Sequence, residues 1–137
     1  MKNFWMMMLF CIALNVAVAQ DGVKFIEGTT WEEVLTLAQE ENKIIFLDAY
    51  TTWCGPCKTM AAMVFPETKV GAFYNATFIN AKIDMEKGEG KDLAKLFEVQ
   101  AYPTLLFVNG DGELVHRGVG ARDAKDLLKL GKEANDP

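Results

Sequence analysis

The sequence predicts an α/β fold in which a central, mixed β-sheet is covered by helices on both faces. Strand-like and helix-like patterns alternate in the order β-α-β-α-β-α-β-β-α, which implies crossover connections and partly parallel pairing. Residues 44–49 (IIFLDA) form a continuous apolar run that only Asp48 interrupts, as is typical of a strand buried on both faces. Residues 109–112 (NGDG) separate two apolar runs, a pattern that favours an antiparallel hairpin.

The first half of the chain supplies two strands and two helical stretches. Residues 23–26 (VKFI) predict a short first strand. Thr30 and Glu33 have the spacing of a capping box, and apolar residues then recur at helical spacing: Trp31, Val34, Leu35 and Ala38. The strand at 44–49 follows, and after it comes a second helical stretch, which Pro66 is expected to end or kink.

The second half supplies three strands and two helices. The strands are predicted at residues 78–84, 104–108 and 113–117. A polar, glycine-bearing loop at 86–90 precedes a helix that Leu93 and Phe97 mark by their spacing. A last helix is predicted from about Arg122. The fold therefore ends with a β-hairpin and a helix.

The amino terminus has the pattern of a secretory signal peptide. A lysine precedes an apolar run at residues 4–14, and the small residues Ala17 and Ala19 then form an A-x-A cleavage site. The run is shorter than the roughly 20 apolar residues of a membrane span. We expect cleavage of residues 1–19, a periplasmic or secreted protein, and one domain over residues 20–137; an uncleaved membrane anchor is the alternative.

The net charge of the chain indicates which classes of binding partner are disfavoured. The chain carries a net charge of −5 and no basic stripe, which argues against nucleic acid and anionic membranes as partners. We expect a monomer.

The cysteine count narrows the chemistry of the motif TWCGPCK. Cys54 and Cys57 would be the two cysteines of the mature chain, because Cys11 leaves with the signal peptide. A structural zinc site needs four Cys or His ligands, and the mature chain adds only His116. We therefore expect no metal. A purely structural disulfide is also disfavoured, because the stabilisation grows with loop length and this loop is very short.

The same motif favours a redox-active pair. A strand, a loop and a helix in succession would place Cys54 in the first helical turn, where free N–H groups and the helix dipole stabilise a thiolate. The pKa of such a thiol can fall from about 8.5 to between about 3.5 and 7.5. Cys57 lies almost one turn further on, and Gly55 and Pro56 suit the turn between them. We expect one exposed sulfur and one shielded behind it.

Two residues outside the motif bear on this prediction. Asp48 lies inside an apolar strand, where burial of a carboxylate is costly. It either faces outwards or accepts a proton from Cys57, and the second is favoured because desolvation biases a carboxyl group towards holding a proton. Pro103 opens a buried strand. A cis bond would offer the Tyr102 backbone to an incoming peptide, but the sequence alone favours a trans proline.

The ordered set of these residues resembles the thioredoxin family over essentially all of the mature chain. Besides the WCGPCK motif, the resemblance covers Asp48, Ile83-Asp84, Tyr102-Pro103-Thr104 and the segment 118–120. With the signal peptide, the chain is similar to the secreted thioredoxin-like proteins of bacterial cell envelopes.

The resemblance implies the thioredoxin fold, thiol–disulfide oxidoreductase activity and no cofactor. It also implies the following roles: Cys54 as nucleophile, Cys57 as resolving thiol, Asp48 as buried proton acceptor, Pro103 as cis-proline, and Trp53, Gly55, Pro56 and Tyr102 as the substrate-binding surface.

The chain departs from the family at three places, one of which is the loop at residues 86–90, a few residues longer than in a cytosolic thioredoxin. Thioredoxins usually carry a lysine next to the buried acid at the position of Asn80, whereas here Lys82 lies two residues away and is expected on the other strand face. The family's helix-kinking proline is replaced by Ala62, and Pro66 lies further on. Because the lysine is missing from the position of Asn80, proton handling at Asp48 is expected to differ.

The most specific functional expectation is a reductase of protein disulfides in the cell envelope, recharged by a membrane electron donor. An oxidase or isomerase of the same fold is one alternative. A redox-inert binding or chaperone-like module is the other, with an apolar groove lined by Met60, Met63, Phe65, Phe73, Tyr74 and Phe78. Such residues are more often core.

Overall fold

The computed structural model describes residues 21–136 of the chain. The predicted signal peptide, with its cleavage site and Cys11, lies outside these residues. Within them, no helix combines the length and the apolar character that crossing a membrane requires.

The sheet has four strands in the order β2-β1-β3-β4. The strands are β1 (Ile44–Tyr50), β2 (Phe78–Asp84), β3 (Thr104–Val108) and β4 (Leu114–Val119). β1 pairs parallel with β2 and antiparallel with β3, which in turn pairs antiparallel with β4. The predicted mixed sheet and its terminal hairpin are confirmed, and Asn109 fixes the hairpin turn by accepting hydrogen bonds from the N–H groups of Asp111 and Glu113.

Five helices surround the sheet in the described part of the chain. They are α1 (Trp31–Glu41), α2 (Gly55–Met63), α3 (Thr68–Thr77), α4 (Gly90–Leu96) and α5 (Ala124–Asn135). The capping box at the start of α1 is present: the Glu33 N–H donates to Thr30 Oγ1, and Glu33 Oε2 accepts from the Thr30 N–H. The reciprocal bonds satisfy two N–H groups that a helix start leaves free.

Two apolar cores form because side chains alternate across β1. Ile45, Leu47 and Ala49 pack in the core that also contains residues of α1 and α4. Phe46 packs in the other core with Met60 of α2 and with residues of α3 and α5. Helices on both faces of the sheet are thus confirmed, and Asp48, two residues after Phe46, lies on the face that α2 covers.

The predicted first strand is reduced to one bridge, from Ile26 to Ala81 of β2. The backbone N–H groups ahead of it are used elsewhere: Val23 donates to the Phe65 carbonyl and Lys24 to the Asn75 side chain. The segment therefore binds to the α2–α3 region instead of extending the sheet.

Pro66 separates two helices. The predicted end of the helical stretch near Pro66 is confirmed, because α2 stops at Met63. The separate helix α3, which starts at Thr68, was not predicted from the sequence. The predicted groove residues are mostly core: Met60, Phe65, Tyr74 and Phe78 are buried, and Met63 is 67% exposed. Because the rings of Tyr74 and Phe78 pack on each other and the Phe65 ring packs on Phe46, these side chains do not line an open groove.

Candidate active site

The two cysteines lie at the connection from β1 to α2. Tyr50 ends β1, and Cys54 is the N-cap of α2 with an extended backbone. The Cys54 N–H donates to the Thr51 carbonyl, and its own carbonyl accepts from the Lys58 N–H at 3.1 Å. Pro56 lies in the first turn, where the missing N–H costs no helical hydrogen bond. The predicted strand–loop–helix arrangement is present.

Cys54 and Cys57 form a disulfide, with their Cα atoms 5.3 Å apart. The Cys57 N–H also donates to the Cys54 sulfur at 3.2 Å. That hydrogen bond and the positive end of α2 would stabilise negative charge on the Cys54 sulfur after reduction. The site therefore has the geometry of a dithiol–disulfide couple.

The expectation of one exposed and one shielded sulfur is wrong for this disulfide state. Cys54 and Cys57 are each 3% exposed. The reason is the capping geometry, since the Cys54 side chain turns back over the helix end and is bonded there to Cys57. Trp53, Gly55 and Pro56, which are exposed, provide the accessible surface around the disulfide.

Trp53 and Tyr102 join the two loops beside the disulfide. The Trp53 side chain is 65% exposed, and its ring meets the Tyr102 ring edge-on at 5.9 Å between centroids. Its indole N–H donates to the Glu86 carboxylate. Of the predicted substrate-binding residues, Trp53 and Tyr102 therefore lie in the two loops at this end of the sheet, and Gly55 and Pro56 lie in the first turn of α2.

The Tyr102–Pro103 peptide bond is cis. The trans bond favoured by the sequence alone is therefore wrong, and the bond implied by the family resemblance is present. Pairing of Thr104 with Ala49 places Pro103 at the same end of the sheet as Cys54. The Pro103 carbonyl accepts from the Gly120 N–H at 2.8 Å, which ties this loop to the end of β4.

Asp48 is buried behind this surface. It is 1% exposed, and neither carboxylate oxygen has a hydrogen-bond partner among the described residues. Burial raises the pKa of Asp48 from 3.8 to about 6, although the nearby charge of Lys82 opposes the shift. A carboxyl group with this pKa can both accept and release a proton near neutral pH.

Lys82 lies beside Asp48, so the expectation that it occupies the other strand face is wrong. Its Nζ is 3.9 Å from Asp48 Oδ2, and the two residues are paired in the β1–β2 register. Residues two apart in a strand face the same side, so Lys82 shares its face with Asn80. The Lys82 ammonium also lies 4.8 Å from the ring centroid of Tyr50 and 5.8 Å from those of Phe25 and Phe65, where the aromatic faces attract it.

Asn80 occupies the position where thioredoxins usually carry the lysine, and it has a structural role. Its side chain donates to the Tyr74 carbonyl at 3.0 Å, which fixes the connection from α3 into β2. The alternation in FINAKID could have revealed that Lys82 was the available cation. Glu86 was also missed, and no pattern in the sequence links it to Trp53.

Residues 22–133 match the Thioredoxin family model. The chain belongs to the thioredoxin family. It is 36% identical to an H-type thioredoxin from Oryza sativa subsp. indica over 69% of this chain and 70% of that protein. It is 29% identical to a protein disulfide-isomerase from Datisca glomerata over 81% of this chain, but it spans only 23% of that protein.

The solved structures agree with this assignment. A solution structure of a proposed disulphide-isomerase from Bacteroides thetaiotaomicron matches with a TM-score of 0.76 and 48% identity, over 85% of this chain and 95% of that chain. Thioredoxin f2, solved in complex with ferredoxin:thioredoxin reductase, matches at 28% identity with a TM-score of 0.62, over 85% of this chain and 98% of that chain. Family membership and the Cys54–Cys57 disulfide support thiol–disulfide oxidoreductase activity.

Replacement of Asp48 by Asn is expected to stabilise the oxidised protein by up to about 3 kcal/mol above about pH 7. The folded pKa of Asp48, about 6, exceeds its ordinary value of 3.8. The folded state therefore binds more protons than the unfolded state between these values, and stability falls as pH rises through them. Urea unfolding at a series of pH values measures the gain, which should decrease as the pH falls and disappear below about pH 3. Asp111→Asn, at an exposed turn residue, is the control, and a gain independent of pH would contradict the account.

Replacement of Lys82 by Met is expected to raise the pKa of Asp48 above about 6, because Lys82 is the charge that lowers it. The titration of the Asp48 carboxyl carbon, followed by NMR in the oxidised protein, measures this shift. Lys87→Met is the matched control, since Lys87 pairs with Asp84. An unchanged or lower pKa in the Lys82 variant would show that the ammonium does not act on Asp48.

Proposed function

We propose that the protein reduces disulfide bonds of other proteins by dithiol exchange through Cys54 and Cys57. The observation that carries the proposal is the disulfide at the start of α2, whose Cys54 sulfur accepts the Cys57 N–H. A sulfur in this position is a good nucleophile when reduced, because the thiolate is the form that attacks. The buried carboxyl group of Asp48, on the face of β1 that α2 covers, supplies the proton acceptor.

The reaction has two exchange steps. The Cys54 thiolate attacks one sulfur of a partner disulfide; a mixed disulfide forms, and the other partner sulfur leaves as a thiolate that takes a proton from solvent. Cys57 then gives its proton to Asp48 and attacks the Cys54 sulfur. This step forms the Cys54–Cys57 disulfide and releases the second partner sulfur as a thiolate, which takes a proton from solvent, while Asp48 returns its proton to solvent. Two electrons pass from the cysteine pair to the partner.

The exposed residues around the disulfide would receive the partner chain. Trp53 and Tyr102 present their rings beside it, and Gly55 and Pro56 leave the approach to the helix end open. The loop with Pro103 is tied to Gly120 by a backbone hydrogen bond. A fixed loop next to the cysteines favours binding of an extended peptide, because little ordering is needed on association.

The direction of exchange is proposed to be reduction. A Gly-Pro dipeptide between the cysteines resembles the reducing members of the family, near about −270 mV, more than the strong oxidants near about −120 mV. Isomerase activity is the second candidate. The similarity to a proposed disulphide-isomerase over 85% of this chain favours it.

We also propose that the protein works in the cell envelope or outside the cell. The support is the charged, apolar and A-x-A pattern of residues 1–19. A reductant in an oxidising compartment must receive two electrons for each turnover. A membrane-spanning dithiol carrier is the proposed donor, and disulfide-containing envelope proteins are the proposed substrates.

A Cys57→Ala variant is expected to accumulate mixed disulfides with partner proteins through Cys54, because no second thiol remains to release them. Non-reducing electrophoresis after acid quenching of the expressing cells detects these adducts, and mass spectrometry identifies the captured chains. The matched control is the variant in which both Cys54 and Cys57 are Ala, which should capture nothing. If the two variants give the same pattern, the exchange mechanism is wrong.

The redox potential separates the reductase from the alternatives. Equilibration of the cysteine pair with glutathione buffers is expected to give a value close to about −270 mV. Thiol alkylation followed by mass spectrometry measures the reduced fraction in each buffer. A potential close to about −120 mV would contradict the proposed direction and favour an oxidase.

A further inference from the structure

Glu86 is held in a defined place beside the disulfide. The N–H of Met85, the preceding residue, donates to the Tyr50 carbonyl at 2.9 Å, and Met85 is buried. The N–H of Glu86 itself donates to Asp84 Oδ1 at 2.9 Å. Two hydrogen bonds thus fix the backbone on which the Glu86 side chain is carried, at the end of β2 next to the end of β1.

The Glu86 carboxylate also holds the Trp53 ring. It accepts the indole N–H of Trp53, the residue directly before Cys54. The Trp53 ring in turn packs edge-on against Tyr102, directly before Pro103. Glu86 therefore places a carboxylate next to Trp53, at the edge of the exposed surface around the disulfide.

The charge of this carboxylate is not neutralised within residues 21–136. The three ion pairs of this part of the chain join Lys82 to Asp48, Lys87 to Asp84 and His116 to Glu133. Lys87 follows Glu86 directly in sequence, but its Nζ lies 3.8 Å from Asp84 Oδ2. An indole N–H satisfies one acceptor position of Glu86 and adds no positive charge, so capacity for a cationic partner remains.

We propose that Glu86 is a specificity-determining residue that favours partner disulfides flanked by lysine or arginine. The inference rests on the proposed function, because it concerns the choice among partners of the same exchange reaction. A peptide that reaches Cys54 passes Trp53, and a basic side chain on it can meet the free side of the Glu86 carboxylate. An acidic side chain at the same place meets a like charge, and such a contact disfavours the wrong partner.

Three model peptides test this inference. They have the same length and the same intramolecular disulfide, and the residues that flank the cysteines are lysine, glutamine or glutamate. The fully reduced protein is mixed with each peptide, and the second-order rate constant of a single turnover is measured by acid quenching and chromatography. This measurement needs no electron donor.

The wild-type protein is expected to reduce the lysine peptide about tenfold faster than the glutamate peptide, with the glutamine peptide between them. This size corresponds to one exposed attraction exchanged for one repulsion. Glu86→Gln keeps an acceptor for the indole N–H and removes the charge, so the ratio should fall to about twofold or less. Added salt should reduce the wild-type ratio in the same way, because it screens exposed charges.

Glu40→Gln is the matched control. Glu40 is exposed near the end of α1 that leads into the start of β1, and a seven-residue strand separates the two ends of β1 by about 20 Å. This variant removes the same charge from the chain far from the cysteines, so its peptide ratio should equal that of the wild-type protein.

Each other outcome overturns the inference in a recognisable way. If Glu86→Gln slows all three peptides by the same factor and the ratio persists, Glu86 only supports the Trp53 ring. If the wild-type protein reduces the three peptides at equal rates, Glu86 does not select partners, while the exchange function stands. If none of the peptides is reduced, the proposed function fails and the inference fails with it.

Discussion

The hydrogen bond from the Cys57 N–H to the Cys54 sulfur depends on how the chain passes from the end of β1 into the start of α2. β1 is buried in the middle of the sheet, so its end is fixed, and the chain turns there directly into the first turn of α2. A cysteine at the N-cap then meets backbone N–H groups that have no partner in the helix. The second cysteine, one turn further on, lies within bonding distance of the first. The proposed chemistry of the site depends on this geometry, because it gives one sulfur of the pair an electrostatic environment that favours negative charge.

Several buried polar groups have no hydrogen-bond partner within the described part of the chain, and they lower the stability of the fold. Asp48 has no hydrogen-bond partner for its carboxylate among the described residues, and Thr51 Oγ1 and Asn80 Oδ1 are buried without partners as well. Such groups destabilise a fold unless other contacts compensate. Lys82 compensates in part: its ammonium lies near the carboxylate, and the rings of Phe25, Tyr50 and Phe65 surround it. The protein thus keeps an unfavourable carboxyl group on the face of β1 that α2 covers, and it moderates that group with a cation from the neighbouring strand.

The parts of the structure that follow from periodic patterns were predictable. The burial of β1, the pairing of the hairpin and the capping box of α1 each depend on residues close in sequence, and the motif around Cys54 located the site. The misjudged features depend on where buried backbone and charged groups find partners. Residues 23–26 looked like a strand, but the N–H groups of Val23 and Lys24 donate to Phe65 and Asn75, whereas the Ile26 N–H donates to β2, at Asn80. Strand alternation alone would have placed Lys82 on the face of Asn80, but its contact with Asp48 also needed the register between β1 and β2. The contact of Glu86 with Trp53 needed the position of a loop. Neither quantity is encoded in a local pattern.

The acidity of the Cys54 thiol tests the central claim most directly. In the reduced Cys57→Ala variant the backbone N–H of residue 57 remains, so the proposed donor to the Cys54 sulfur is preserved. The rate of alkylation by iodoacetamide, measured against pH, reports the pKa of the thiol. The account predicts a midpoint between about 3.5 and 7.5, below the value of about 8.5 for a free cysteine. A midpoint at or above about 8.5 would contradict the claim that the start of α2 stabilises a thiolate at Cys54.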